Sequence, residues 1–238
     1  APYVSSLTKD SVSPSFFEQF KTAFKVRPFA ILLGVKLTQL TGFAIFMGVL
    51  PFIFTRIIGA SDTYLGFYFL VQGSVLLVTQ PVWVYTIRKI GKKNSYYLGG
   101  LLWGLGDLSW LWAVEGEPMI GIIVRAVMLG VGAGGLILVG QSMLPDTMQY
   151  DYQKTGIRRE GIFAGVFTTV EKISFAIGPA LLGLMLGSAG YLPEPDAIQP
   201  ESARMVMYLS VGGLPVITLF ISCLLMIFYK LDTTKLKQ

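Results

Sequence analysis

Apolar residues fall into six long blocks along the chain, approximately Phe29 to Phe54, Leu65 to Ile87, Tyr96 to Val114, Met119 to Leu144, Ile162 to Ala189 and Met205 to Tyr229. Within each block the apolar run is continuous, broken mainly by glycine and other small residues. A helix needs roughly 20 residues to cross a hydrocarbon layer about 30 Å thick, and the blocks meet that length with room for tilt. Strands of a membrane barrel would be about ten residues long and would alternate strictly between apolar and polar positions. The pattern therefore predicts an all-α, polytopic membrane protein, with a six-transmembrane-helix bundle over 29–238.

The segments between blocks set the connections. Only Glu115 to Pro118 join the third and fourth blocks, which makes those helices antiparallel neighbours. Gly91 interrupts the basic run Arg88 to Lys93 as a tight turn requires, and the Pro-rich stretch Tyr191 to Pro200 reads as an external loop. Small residues recur at four-residue spacing at Gly100 and Gly104, Gly130 and Gly134, and Gly183 and Gly187, which lets helix backbones approach closely. Residues 1–28 lack the apolar core of a signal peptide, and the chain opens on Ala1 with its first methionine at Met47, so a piece of something longer is expected. In this segment Ser15 and Glu18 have capping-box spacing, and Phe16, Phe20 and Phe24 recur beside Lys21 and Lys25. That pattern predicts a cytoplasmic linker carrying a short amphipathic helix on the membrane surface.

Composition agrees with a lipid solvent, since 53% of the residues are hydrophobic and 14% charged. The distribution of charge gives an orientation. Fourteen of the Lys and Arg residues lie before the first block, between the second and third, between the fourth and fifth, and after the sixth, whereas the opposite side holds Arg56 and Arg204. The positive-inside rule places both termini in the cytoplasm of a multi-pass cell-membrane protein. The net charge of +5 is then a topology signal that needs no nucleic-acid partner. One cysteine, Cys223, permits no internal disulfide, and the chain has no histidine, which removes imidazole bases, Ser-His and Cys-His pairs and most zinc sites. No cofactor or metal ligand set is expected, and an enzyme is disfavoured.

Five charged residues fall inside the apolar blocks, Lys36, Asp107, Arg125, Glu171 and Lys172. A charge at a helix centre costs roughly 3 kcal/mol, so each requires a partner or a water-filled cavity. Asp107 and Arg125 lie at similar distances on either side of the short external turn, and the equal depth predicts a structural ion pair. Lys36 is close enough to the cytoplasmic end to snorkel or to face a cavity, and Gln39 shares its helix face. Gln72 is a further amide inside an apolar block. Lys172 lies near the middle of the fifth block, with Glu171 about 100° away around the helix and Thr168 and Thr169 on its own side. It is either a structural lysine with an unseen carboxylate or a substrate- or coupling-linked lysine in a central cavity. Pro179 frees a backbone carbonyl and lets this helix bend.

The stretch Pro145-Asp146-Thr147-Met148-Gln149-Tyr150-Asp151-Tyr152-Gln153-Lys154-Thr155-Gly156-Ile157-Arg158-Arg159-Glu160-Gly161, followed by Val170-Glu171-Lys172, resembles the loop between helices ten and eleven of the glycoside-pentoside-hexuronide:cation symporters. That family is the melibiose permease-like branch of the major facilitator superfamily. Arg88-Lys89-Ile90-Gly91-Lys92-Lys93 is similar to its basic loop between helices eight and nine, and Arg27-Pro28-Phe29 to the start of helix seven. The resemblance implies that these helices are helices seven to twelve, one half of a major facilitator fold, with an N-terminal six-helix half as partner. It implies that the cation-binding carboxylates lie chiefly in that other half. Lys172 falls where sugar-carrying members have a lysine tied to substrate binding and coupling. Asp146, Arg158 and Glu160, with Arg88 of the basic turn, fall in a cytoplasmic charge network that holds the outward-facing state. One departure is that Met119 to Met148 contains no aromatic residue, whereas sugar carriers place one on the tenth helix against the sugar ring.

The expected function is that of the C-terminal half of a Na+- or H+-coupled symporter for a sugar or glycoside, working by alternating access around a midplane site. Its partners are then membrane lipids, a small-molecule substrate, a coupling cation and the other half. The alternatives are a lysolipid or other amphiphile carrier of the same family and a non-transporting membrane scaffold.

Overall fold

A computed structural model describes residues 21, 24–194 and 197–231, and among them every regular element is helical. The amphipathic segment expected over 1–28 lies almost entirely outside the described residues. Helix α1, Arg27–Phe52, continues through a π-helical turn, Ile53–Ile58. It is followed by α2, Asp62–Val78, and α3, Gln80–Ile90. Helix α4, Lys92–Ser109, ends in a 3-10 turn, Trp110–Trp112. Then come α5, Met119–Thr155, and α6, Glu160–Ser188. The last unit is α7, Glu201–Tyr208, a π-helical turn Leu209–Gly213, and α8, Leu214–Ile227.

These elements form six helical units in the order of the six apolar blocks. Four of them are long and apolar enough to cross a membrane, 27–58, 119–155, 160–188 and 201–227, and α2 with α3 makes a fifth if the bent pair is one span. The unit 92–112 is not among them, because Lys92, Lys93, Asn94 and Ser95 polarise its first turns and Asp107 its interior. The 46° bend between α2 and α3 has a local cause. Pro81 cannot donate a backbone hydrogen bond to the Leu77 carbonyl, and the Thr79 hydroxyl adds a second bond, at 2.8 Å, to the Val75 carbonyl that its own N–H already reaches. Helix α6, in contrast, runs uninterrupted through Pro179.

Helix α5 differs from expectation in length. The stretch from Pro145 onward reads as a loop, yet the helix continues to Thr155 and stops at Gly156, whose φ of 67° admits no side chain without strain. Its 37 residues span about 55 Å, well beyond a hydrocarbon layer, so its last turns project past the apolar zone.

Packing follows a repeat. Helices α1, α2–α3 and α4 form one triplet, and α5, α6 and α7–α8 the other. The first helix of each triplet packs on the second and third units of the opposite one: α1 on α6 and α8, and α5 on α2 and α4. Antiparallel α4 and α5 are the most extensively packed pair, as their short connection predicts. A Cβ at Gly132 would stand 2.6 Å from the Trp103 backbone nitrogen, so only glycine permits this approach. Gly183 and Gly187 of α6, in contrast, face nothing within 4 Å among the described residues.

Candidate functional site

The repeat leaves a cleft of about 180 Å³ where α1, α5 and α6 meet beside α4. Lys36 and Gln39, one helical turn apart on α1, both enter it, together with Tyr96, Gln141 and Glu171. Phe43, Phe167 and Phe175 supply aromatic walls. A smaller hollow of about 40 Å³, lined by Trp103 and Leu219, adjoins it through Gln39 and Phe43.

Lys36 is the deepest charge in the cleft. Its ammonium lies 2.8 Å from Glu171 Oε2 and 3.5 Å from the centroid of the Phe167 ring. The lysine side chain is 10% exposed and the glutamate 38%, so the ammonium is enclosed while the carboxylate reaches open space. Lys36 is therefore buried and paired across helices rather than snorkelled to the headgroups. This pair also explains why Glu171 need not neutralise its neighbour Lys172.

A second polar set borders the same space. The Tyr96 hydroxyl donates to Gln39 Oε1 at 3.1 Å and lies 2.5 Å from Ser222 Oγ on α8. With the single phenolic proton given to Gln39, Ser222 is the donor to Tyr96, and the relay occupies the Gln39 carbonyl. Its amide N–H groups remain for a ligand. Tyr96, Gln141 and Ser222 were not singled out from the sequence. A tyrosine or serine is unremarkable in an apolar block, whereas Gln141, an amide in the fourth block, was a visible signal.

The other expected site residues lie elsewhere. Lys172 and Thr168 are exposed on α6 and are not part of the cleft lining; Lys172 forms no ion pair among the described residues. Thr169 donates back to Gly165 within its own helix. Thr168 and Lys172, four residues apart, form a polar stripe on a helix whose membrane-length window is 28% buried. Gln72 is buried on α2, away from the cleft.

The expected Asp107–Arg125 pair does not form. Arg125 Nη1 lies 2.5 Å from both carboxylate oxygens of Glu117, and its guanidinium rests 4.9 Å from the centroid of the Trp110 ring. Helical side chains lean toward the N-terminus of their helix, so Arg125 reaches back to the turn that precedes α5 rather than across to Asp107. Asp107 is fully buried with neither oxygen in a hydrogen bond among the described residues, although the Trp103 side chain lies beside it. The Tyr68 hydroxyl, Trp110 Nε1 and Ser210 Oγ are likewise buried without hydrogen-bond partners among the described residues.

At the end rich in basic residues, Asp146 pairs with Lys92 at 2.5 Å, and Lys92 also donates to the Ser142 carbonyl at 2.8 Å. Arg159 holds Asp151 through two bonds of 3.0 and 2.7 Å. Arg88, Arg158 and Glu160 are exposed and make no ion pair among the described residues; Arg158 stacks 5.2 Å from the centroid of the Tyr152 ring. The pairs that form thus involve Lys92, Asp151 and Arg159, which the sequence reading passed over.

Comparison with known proteins bears on these features together. A profile of the family described as MFS/sugar transport protein matches residues 5–233. The chain is 31% identical to an uncharacterized symporter of Synechocystis sp., over 89% of this chain and 40% of that protein. It is 29% identical to the isoprimeverose transporter of Lactiplantibacillus pentosus, over 74% and 36%. It is 26% identical to the sodium-dependent lysophosphatidylcholine symporter 1-A of Danio rerio, over 65% and 29%. The chain thus spans less than half the length of these relatives. With the profile covering nearly all of its residues, the protein belongs to the MFS/sugar transport protein family, whose members are membrane transporters and not enzymes.

Proposed function

We propose that the chain is the C-terminal half of a cation-coupled symporter for a sugar or glycoside, acting with an N-terminal six-helix half by alternating access. The observation that carries this reading is the cleft between α1, α5 and α6, where an enclosed ammonium, a half-open carboxylate and two amides surround aromatic walls. Sugar hydroxyls need donors and acceptors in close alternation, and the ring's C–H face packs on aromatic carbon. Phe43, Phe167 and Phe175 supply the surface that α5 lacks between Met119 and Met148. Glu171 accepts hydroxyls, and Lys36 and the Gln39 and Gln141 amides donate to them. The isoprimeverose transporter among the relatives points to the same substrate class.

In this reading the Lys172–Thr168 stripe faces water shared with the other half, since lipid is the least favourable medium for an ammonium. Asp146 and Lys92, with Arg88, Arg158 and Glu160 presented toward the partner half, close the cytoplasmic side of the path, and both termini are cytoplasmic. Helices α1 and α5 each bridge the two triplets, so rocking of this half as a body carries the cleft with it.

A second reading, an amphiphile carrier, is favoured by the lysophosphatidylcholine symporter among the relatives and by the apolar hollow adjoining the cleft. Proteoliposomes of the full-length protein separate the two. Under an imposed Na+ or H+ gradient, uptake of radiolabelled glycosides, isoprimeverose among them, is expected to exceed gradient-free uptake. Gradient-driven uptake of lysophosphatidylcholine with none of any glycoside establishes the second reading, and no gradient-driven uptake of either contradicts both.

A further inference from the structure

A separate pocket of about 420 Å³ lies where the start of α1 meets the end of α5, away from the cleft. Lys25 and Arg27 line it from one side, and Lys154 and Arg159 from the other. Against these four cations stands one carboxylate, Asp151, already held by both bonds from Arg159. Lys25 and Arg27 have no acidic partner among the described residues. Lys154 rests 4.6 Å from the centroid of the Tyr150 ring, a contact that leaves its three N–H donors free. The N-terminus of α1 and the C-terminus of α5 meet here with opposite partial charges, so the side chains decide the sign of the field, and it is positive.

The position matters as much as the charge. The first apolar block begins at Phe29, directly after these residues, so the pocket sits at headgroup depth with Tyr150 at the interface. Its volume is within the range of small-molecule sites, about 300–1,000 Å³. Orientation of the chain requires basic residues on this side, but not that four of them converge on one concavity. Lys89 and Lys230 serve orientation equally well from open surface. The Arg27 guanidinium fork and two ammonium groups around one cavity, with the Arg159 N–H groups that Asp151 does not take, match the oxygens of a phosphate.

We infer that this pocket binds the phosphate of an anionic phospholipid headgroup from the leaflet on the basic side of the membrane. Arg159, fixed by Asp151, is the rigid wall; Lys25, Arg27 and Lys154 close on the phosphate. The site is independent of the transported substrate, and the reading stands whichever substrate the cleft takes.

The test uses the purified full-length protein and follows its apparent Tm. Phosphatidylglycerol is expected to raise Tm by about 3–5 °C relative to phosphatidylcholine. The shift is expected to vanish in Lys25→Gln/Arg27→Gln/Lys154→Gln and to persist in Lys89→Gln/Lys230→Gln, which removes charge outside the pocket. Should the triple variant not fold, Lys25→Gln/Lys154→Gln, which breaks no ion pair, is expected to lose at least half of the shift. Inorganic phosphate at millimolar concentration is expected to give less than a quarter of the lipid's effect. An equal, pocket-sensitive effect of inorganic phosphate overturns the lipid as the source. No wild-type shift, or the same shift in the pocket variants, overturns the site.

Discussion

Lys36 on α1 and Glu171 on α6 meet at 2.8 Å across the cleft, 135 positions apart in the chain, with the ammonium enclosed and the carboxylate half open. The pair joins the first helix of one triplet to the second unit of the other, so it is at once a packing contact and the polar floor of the cleft. Its two ends differ in what they can give a ligand. Glu171 retains free acceptor capacity, while Lys36 gives one of its three N–H donors to the carboxylate, packs on the Phe167 ring and keeps donors for a ligand.

Lys36→Met or Glu171→Gln alone leaves the other charge without its partner. Because Glu171 is partly solvated, the expected cost is about 1–3 kcal/mol rather than that of a fully buried pair. The exchange Lys36→Glu/Glu171→Lys is expected to recover more than half of the lost folded yield while leaving uptake poor, since the carboxylate then lies in the enclosed position. Detergent-solubilised yield and uptake of the full-length protein, measured together, check this. Recovery of both would show that the pair serves packing alone.

Lys172→Met keeps side-chain length and removes the ammonium. As Lys172 makes no ion pair among the described residues, folded yield is expected to change little. Gradient-driven uptake is expected to fall at least about tenfold, a difference of ~1.4 kcal/mol, and Lys172→Arg is expected not to restore it fully. Near-normal uptake by the Met variant would make Lys172 a solvated charge without a transport role.

Arg125 and Asp107 separate in their consequences. Glu117→Gln and Arg125→Met are each expected to lower folded yield, and Glu117→Arg/Arg125→Glu to restore part of it. Asp107→Asn is expected to be mild, because a buried carboxylate with no hydrogen bond gains nothing from charge. Rescue of Arg125→Asp by Asp107→Arg, without rescue through Glu117, would contradict the assigned partner.

Much of this was legible in the sequence for a simple reason. Lipid imposes a one-dimensional rule, so block length reports helices directly. The adjacency of α4 and α5 followed from a short turn, and the shared face of Lys36 and Gln39 from helical spacing. What escaped was partner choice. Equal depth favoured Asp107 for Arg125, but the backward lean of a helical side chain gave it to Glu117. Asp146 and Lys92 both stood in recognised loops, yet their pairing spans 54 positions and depends on how α4 crosses α5. The polar run after Pro145 looked like a loop because a helix leaving the membrane has no apolar pattern to display. Lys172 was expected either beside a carboxylate or in a central cavity; it is exposed on α6 without an ion pair among the described residues, and the cleft is lined from the adjacent face, at Glu171.

The cleft itself is open to direct test through Gln141, which lines it, is exposed and makes no side-chain hydrogen bond among the described residues. In full-length protein carrying Gln141→Cys as its one cysteine, with Cys223 and any cysteine outside this chain replaced by Ser, the measurement is the rate of modification by the cationic thiol reagent methanethiosulfonate ethylammonium in proteoliposomes. Water access to the cleft predicts ready modification, and a sugar site there predicts that a glycoside taken up by the wild type slows it at least about fivefold, as occupancy of most sites would. An unreactive thiol, or the same rate with and without that glycoside, would contradict the assignment of this cleft as the transport site.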